Sequence, residues 1–242
     1  MKIQRINADW PAPKNIYAVS TLRTGGISKA PYNSFNLAGH VGDDEFSVAE
    51  NRHRLRALLN LPAEPVWLEQ THSDIVVCLN GQPQSLQADA SYTQNSGIIC
   101  AVLTADCLPI LLCNEAGTKI AAIHAGWRGL LSGVIENTVK ALQEPRLLAW
   151  LGPAIGPECF EVGEEVRAAF CTKSDIFSRA FRAQENSKWL ADIYLLSRIT
   201  FAELGVENVY GGSFCTVTEK ERFFSYRRDG ETGRMATIIW RD

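Results

Sequence analysis

The chain of 242 residues lacks any run of about 18 apolar residues, so no membrane span is expected. It also lacks an excess of either charge. Its 24 Lys and Arg against 27 Asp and Glu give a net charge of −3, which removes the electrostatic reason to expect nucleic acid or an anionic membrane as partner. The opening residues MKIQRINADWPAPKN contain no apolar signal core. The seven cysteines are odd in number and fall in no paired short spacings. Together these absences predict free thiols in a reducing cytoplasm. No linker, internal repeat or low-complexity stretch interrupts the chain, so residues 1–242 are read as a single domain. The apolar share of 46% and charged share of 21% are ordinary for a soluble globular protein.

What is present concentrates in Ala101 to Leu130, AVLTADCLPILLCNEAGTKIAAIHAGWRGL. Gly97–Thr104 and Leu108–Cys113 are apolar runs of strand length, Asn114–Thr118 is turn material, and Lys119–His124 is a further apolar run. The last two runs predict a β-hairpin that brings Cys107 and His124 near one another across antiparallel strands. Ala-Gly-Trp-Arg-Gly follows and enters a helix over Ser132–Gln143. Gly126, Gly129 and Gly133 would leave amides accessible there for an anion.

The remainder reads as a mixture of strands and helices. Ile16–Leu22 is a strand, followed by the turn Arg23-Thr24-Gly25-Gly26, where Arg23 is either a simple turn residue or an anion contact. Pro31–Asp44 is too rich in Asn, Gly and Asp for regular structure, and His40 lies in it. Asp43 or Asp44 caps a helix running to about Leu59, which carries His53 among arginines on a solvated face. Val66–Leu68 and Ile75–Leu79 are short strands flanking Glu69-Gln70-Thr71-His72-Ser73-Asp74. Later come a strand at Leu147–Leu151 and helices at Glu164–Cys171, Asp175–Gln184 and Trp189–Leu204. Three strands at Ser213–Thr218, Phe223–Tyr226 and Met235–Trp240 close the chain, with a charged turn over Arg227–Arg234.

His72, Cys107 and His124 are the imidazoles and thiol best placed at strand ends. Two imidazoles and one thiolate suit Zn²⁺, and three protein ligands would leave a fourth position open, as catalytic zinc sites do. Their spacing matches no zinc-finger pattern. Residue chemistry therefore leaves three readings: a three-ligand metal site, a Cys107/His124 nucleophile pair, or unrelated core residues. Asp106, beside Cys107, would face the other way on an extended chain and is a weak candidate proton carrier. Cys78, Cys100 and Cys113 lie within apolar strands as small hydrophobes.

The segments LEQTHSD, TADCLPILLC, IHAGWRG, LGPAIGPECFEVG and FFSYRRDGETGRM closely resemble the YfiH-type proteins. That family is known as laccase-domain or multicopper polyphenol oxidase-like, as purine nucleoside phosphorylase and, in some bacteria, as peptidoglycan editing factor. The resemblance runs from about Ile16 to Trp240. It implies an α+β fold of mixed sheets forming a β-sandwich flanked by helices, not the cupredoxin fold. It also implies zinc held by His72, Cys107 and His124, which match the family's EQxH, TADC and HAGW positions without substitution.

The activities implied are phosphorolysis of adenosine, inosine and methylthioadenosine, with adenosine deamination. Copper-dependent phenol oxidation is disfavoured, because a multicopper site needs many imidazoles and the chain has four. Phosphorolysis needs anion donors, for which Arg23, Arg128 and the amides around Gly126 are the candidates. Deamination needs an activated water at the purine C6 and an acid for the leaving ammonia. The alternative is a zinc or cysteine hydrolase removing misplaced serine from a UDP-muramoyl precursor, and a purine-binding module without turnover is a third reading. The expected partners are a small nucleoside and phosphate, with neither nucleic acid nor membrane.

Overall fold

The computed structural model describes residues 4–242. Residues 1–3, where the leader reading of the N-terminus begins, lie outside the described residues. In chain order the strands are β1 (Arg5–Asn7), β2 (Ile16–Thr21), β3 (Val76–Cys78), β4 (Ala90–Thr93), β5 (Cys100–Thr104), β6 (Leu108–Asn114), β7 (Ile120–Ala125), β8 (Leu147–Leu151), β9 (Glu161–Gly163), β10 (Phe181–Ala183), β11 (Lys188–Ala191), β12 (Asn208–Gly211) and β13 (Met235–Arg241). The helices are α1 (Glu45–Leu59), α2 (Trp127–Ser132), α3 (Val134–Leu142), α4 (Glu164–Lys173), α5 (Ile193–Glu203) and α6 (Tyr226–Asp229).

Two sheets carry the architecture. One is antiparallel in the order β1-β2-β13-β5, and the other is mixed in the order β12-β8-β6-β7-β4-β3. They face one another across a layer containing Val102, Leu111, Cys113, Ala122, Trp150 and Ile239. Strand alternation explains the layering. On β6, Leu111 and Cys113 point between the sheets, whereas Ile110 and Leu112 point the other way, against Val134 and Ile135 of α3 and Leu196 of α5. On β5, Ala101 and Leu103 turn outward to Leu55 of α1 and to Phe35 and Leu37. With both faces of β5, β6 and β7 covered, every residue of these strands is buried. The result is the expected α+β single domain, a β-sandwich with helices outside and no closed barrel. A small third sheet, β10-β11-β9, packs beside it.

Strong local signals match the structure. Asp44 caps α1 by accepting from the Ser47 amide at 2.8 Å, and Asn60 ends it in the left-handed region at φ 48°. The β6–β7 hairpin forms as expected.

Other expectations are corrected. The helix expected over Ser132–Gln143 begins earlier and is divided by Gly133, whose φ of 104° ends α2. Trp189–Leu204 is not one helix: Asp192 accepts from the Leu195 amide at 2.9 Å and so starts α5, while the preceding residues form β11 between β9 and β10. Asp175–Gln184 is a 3-10 turn over Asp175–Ala180 leading into β10. Val66–Leu68 makes only an isolated bridge from Val66 to Cys100. Neither Ser213–Thr218 nor Phe223–Tyr226 is a strand. Their polar groups are taken by non-ladder partners, the Thr216 amide by the Ala154 carbonyl and the Phe223 amide by the Glu219 carbonyl. No helix among the described residues is long and apolar enough to cross a membrane.

Candidate metal centre

Cys107 sits where the chain leaves one sheet for the other. β5 belongs to the four-stranded sheet and β6 to the six-stranded one, and Ala105-Asp106-Cys107 makes the crossing. Asp106 adopts φ 92°, a left-handed conformation that costs a non-glycine residue free energy. Its carboxylate holds that turn in place by accepting from the Thr216 hydroxyl and the Arg227 amide, and its carbonyl accepts from the Ile155 amide. Both carboxylate oxygens are engaged structurally, so the proton-carrier role considered for Asp106 finds no support. In the hairpin it is Pro109 that lies opposite His124. Continuing that register places Cys107 opposite Gly126, and the missing side chain of Gly126 leaves room for the ligands to converge.

His72 arrives from a loop built around one buried carboxylate. Asp89, just before β4, is fully buried. It accepts from three successive amides, Thr71 at 3.1 Å, His72 at 3.0 Å and Ser73 at 2.6 Å, and from the Ser73 hydroxyl at 2.7 Å. This wraps the loop so that His72 takes φ 62°. The Gln70 side chain tethers the same loop to the free edge of β5, donating to the Leu103 carbonyl and accepting from the Leu103 amide. Asp89 also meets His124, with Oδ1 at 2.7 Å from Nδ1. Nδ1–H donates to the carboxylate, so His124 would meet a metal through Nε2, giving up the proton that nitrogen carries in the metal-free imidazolium.

The three donor atoms of His72, Cys107 and His124 lie within 4.8 Å of one another, and Cys107 Sγ is 3.7 Å from His72 Nε2. A tetrahedral ion with zinc–sulfur and zinc–nitrogen bonds of ordinary length holds such donors about 3.4–3.6 Å apart. The set therefore fits a single ion after small adjustments. Exposure rises from buried His124 through half-buried Cys107 to exposed His72, so the open side of the cluster faces solvent.

Electrostatics favour the ligand form of the thiol. Burial raises the Cys107 pKa, but the charge of His124 and hydrogen bonds from both histidines outweigh it and lower it to about 6. Burial works against His124 as an imidazolium, yet Cys107 and Asp89 raise it to about 9. Burial alone pushes Cys113 up to about 12, and Cys100 rises to about 12 chiefly for the same reason. All seven cysteines are free. In metal-free protein, iodoacetamide should modify Cys107 at a rate that climbs with pH about a midpoint near 6. Cys100 and Cys113 should stay unmodified at neutral pH, and bound zinc should protect Cys107. Peptide mass mapping reads this directly, and a midpoint near the ordinary thiol value would show that the histidines do not stabilise the thiolate.

The cluster opens into a cavity of about 450 Å³, within the usual range for small-ligand sites. Trp127, Phe160 and Tyr226 supply aromatic surface, and Arg128, Arg227 and Arg234 supply positive charge. None of these three arginines is in an ion pair among the described residues. His40 also lines the cavity, outside the donor cluster, and His53 lies exposed on α1. Arg128 lines it with its guanidinium over the Trp127 ring at 4.3 Å. Arg23 does not line it, because its guanidinium goes to the carbonyls of Asn33 and Lys220 and packs over Phe224. Gly126 is close to the donors, but the helix it precedes is only six residues long and its glycines are spent on space and on breaking the helix. Sequence reasoning missed Asp89, Gln70, Arg227 and Arg234. Of these only Asp89 left a signal, a lone carboxylate between two alanines at the start of a buried strand.

The chain resembles known proteins over nearly its whole length. The family model described as multi-copper polyphenol oxidoreductase laccase matches residues 17–242. The chain belongs to this family. It is 56% identical over 234 residues to the purine nucleoside phosphorylase YfiH of Shigella flexneri, covering 96% of each chain. It is 48% identical over 242 residues to the purine nucleoside phosphorylase of Haemophilus influenzae, covering 98% of this chain and 99% of that one. Among solved structures, a Neisseria meningitidis protein superposes with a TM-score of 0.93 at 47% identity over 100% of both chains. YlmD from Geobacillus stearothermophilus superposes with a TM-score of 0.85 at 30% identity, covering 96% of this chain and 93% of that one.

Proposed function

We propose that the protein is a zinc-dependent purine nucleoside phosphorylase acting on adenosine, inosine and methylthioadenosine, with adenosine deamination as a second reaction. One observation carries the reading. A cavity of about 450 Å³ is lined by the His-Cys-His donor set, by aromatic side chains and by arginines without carboxylate partners. Phosphorolysis breaks the C1′–N9 bond, forms a C1′–oxygen bond to phosphate and returns a proton to the purine. It therefore needs a surface for an aromatic base and a site for a dianion. The names of the relatives support the same assignment.

The donor set favours zinc over copper. Two histidines and a cysteine also occur in blue-copper sites, but those add a weak axial ligand such as methionine. Met235, the methionine among the described residues, accepts from the Phe224 amide and is not one of the cavity residues. The open, partly exposed arrangement resembles catalytic zinc sites, and two histidines in one cluster cannot serve several coppers. Zinc held by His72, Cys107 and His124 would supply Lewis acidity toward a substrate oxygen or nitrogen. The chain's own residues do the rest. Asp89 retains the proton on His124 Nδ1 and keeps His72 turned toward Cys107. Trp127, Phe160 and Tyr226 offer faces to the base, and the arginines hold negative charge.

The same Asp89–His124–Cys107 line, with a thiolate formed near pH 6, would also serve a cysteine nucleophile in a hydrolase. The second imidazole favours the metal. A nucleophile needs one base, whereas this fold uses three amides and a buried carboxylate to bring His72 up to the same sulfur. Zinc-loaded protein should convert inosine to hypoxanthine and ribose 1-phosphate only when phosphate is supplied, and adenosine to inosine with or without it. Chelation should abolish both reactions and zinc should restore them. Full activity in metal-free protein, or no base release at saturating phosphate, would overturn the reading.

A further inference from the structure

We propose that Cys215 and Cys159 form a second reactive centre, separate from the metal ligands: Cys215 reacts with hydroperoxides, and Cys159 then closes a reversible disulfide with it. The inference is independent of the reaction assigned to the cavity.

The two cysteines are far apart in sequence, lie outside the strands and helices, and are both part-exposed. Gly156 brings them together. Its carbonyl accepts from the Cys159 amide at 3.0 Å, which closes the turn Gly156-Pro157-Glu158-Cys159, and the ends of such a turn lie within about 7 Å of one another. The Gly156 amide donates to Cys215 Sγ at 3.3 Å. Cys215 fills the space a side chain would take, since a Cβ on Gly156 would lie 3.0 Å from both its Cβ and its Sγ. Cys215 also opens a tight turn of its own. Its carbonyl accepts from the Glu219 amide at 3.0 Å, and its amide donates to Glu219 Oε1 at 2.9 Å. That turn brings the Val217 and Thr218 amides and the Thr218 hydroxyl to the same sulfur. Three amides and a hydroxyl around one part-exposed sulfur form a setting for negative charge.

The two thiols are set to different roles. Burial works against the Cys215 thiolate, but its hydrogen bonds outweigh this and lower its pKa. Burial, and then the charge of Cys215, raise the pKa of Cys159, with the Arg227 guanidinium working the other way. The Cys215 thiolate attacks the peroxide. An S–O bond forms, the O–O bond breaks, hydroxide leaves and the sulfur becomes a sulfenic acid. The neutral sulfenic acid no longer opposes a charge on Cys159. Cys159 then loses its proton and displaces the hydroxyl, so that an S–S bond forms, the S–O bond breaks and the proton leaves with hydroxide as water. The peroxide is reduced by two electrons, one from each sulfur.

The test is peptide mapping without reduction. Zinc-loaded protein is treated with hydrogen peroxide, and the remaining thiols are blocked with N-ethylmaleimide. The expected product is a cross-linked pair of peptides carrying Cys159 and Cys215, lighter than their sum by two hydrogens and released by dithiothreitol. It should form before Cys78 or Cys171, the other part-exposed thiols outside the donor cluster, is modified. Cys159→Ser should leave a sulfenic acid on Cys215 that dimedone labels, and Cys215→Ser should leave Cys159 reduced. The wild-type map and Cys159→Ser keep the test decisive if Cys215→Ser folds poorly. Cys159 and Cys215 still reduced in excess peroxide overturn the proposal. So does Cys215 carried to sulfinic acid, or bonded to another chain, while Cys159 stays a thiol.

Discussion

Asp89→Asn is expected to lower zinc affinity by about 10–100-fold, as loss of a carboxylate behind a ligating histidine does, and to destabilise the fold by about 3–5 kcal/mol, the usual effect of breaking a buried charged pair. Asp89 is fully buried and accepts from Thr71, His72, Ser73 and His124. Burial works against its charge, but hydrogen bonds from His124 and Ser73 outweigh this and hold the carboxyl well below its usual range. An asparagine of the same shape has one acceptor oxygen instead of two. Its amide would face a donor, either the loop amides or His124 Nδ1–H. In the first case the loop carrying His72 opens. In the second His124 adopts the other tautomer, which places a proton on the nitrogen needed for the metal.

Zinc competition with a chromophoric chelator measures the first effect, and ¹⁵N spectra of the histidine rings report the tautomer. The pH dependence has a definite sign. A depressed folded-state pKa contributes stability that is complete above the unfolded carboxyl pKa of about 4 and is lost as pH falls through the folded value. The difference in stability between metal-free wild type and Asp89→Asn should therefore narrow below about pH 4. Unchanged zinc affinity together with an unchanged thermal midpoint would reduce Asp89 to a bystander.

Asp89 also shows where sequence reading stops. Cys107 and His124 were legible because each stands at the end of an apolar run that can be counted and the hairpin joining them is local, whereas His72 sits on a loop before β3. α1 was legible from Asp44 and Asn60 for the same reason. Asp89 acts on His124 only through the β4–β7 register, in which Ala90 pairs with Ile123, and nothing nearby in sequence announces that pairing. Arg227 and Arg234 read only as parts of a charged turn, since only the β13–β5 pairing and the α6 turn bring them to the cavity. Arg23 carried the better local signal, arginine before two glycines, yet its charge is consumed inside the fold by carbonyls of residues far along the chain. β11 was mistaken for the start of α5 because Leu190, Ile193 and Tyr194 fit helical spacing. The Asp192 cap outweighs that periodicity.

Gly126→Ala should remove most of the bound zinc and nearly all metal-dependent activity while leaving the fold as stable as before. Gly126 has φ −68° and ψ 161°, an extended conformation open to any residue. Alanine there carries no backbone penalty and, by restricting the unfolded chain, contributes about 0.4–1 kcal/mol of stability where it fits. What glycine supplies is room. A Cβ at this position would lie 2.8 Å from His72 Cδ2 and 3.1 Å from Cys107 Sγ, well inside contact distance. Cys107 is fixed by the Asp106 turn and the β6–β7 hairpin, so it cannot retreat. His72 is exposed and held only through its loop, so its ring must swing out, and the ion loses one of three protein ligands. The expected result is at least a tenfold fall in zinc affinity, similar to loss of a supporting partner of a ligand, with a thermal midpoint in chelator equal to that of wild type. Melting with and without zinc distinguishes the alternatives. A variant destabilised equally in both conditions would mean that Gly126 serves the fold. A variant that keeps full zinc would mean that the His72 loop has enough slack to absorb a methyl group, and that the close approach of Gly126 to the donors is not a requirement of the site.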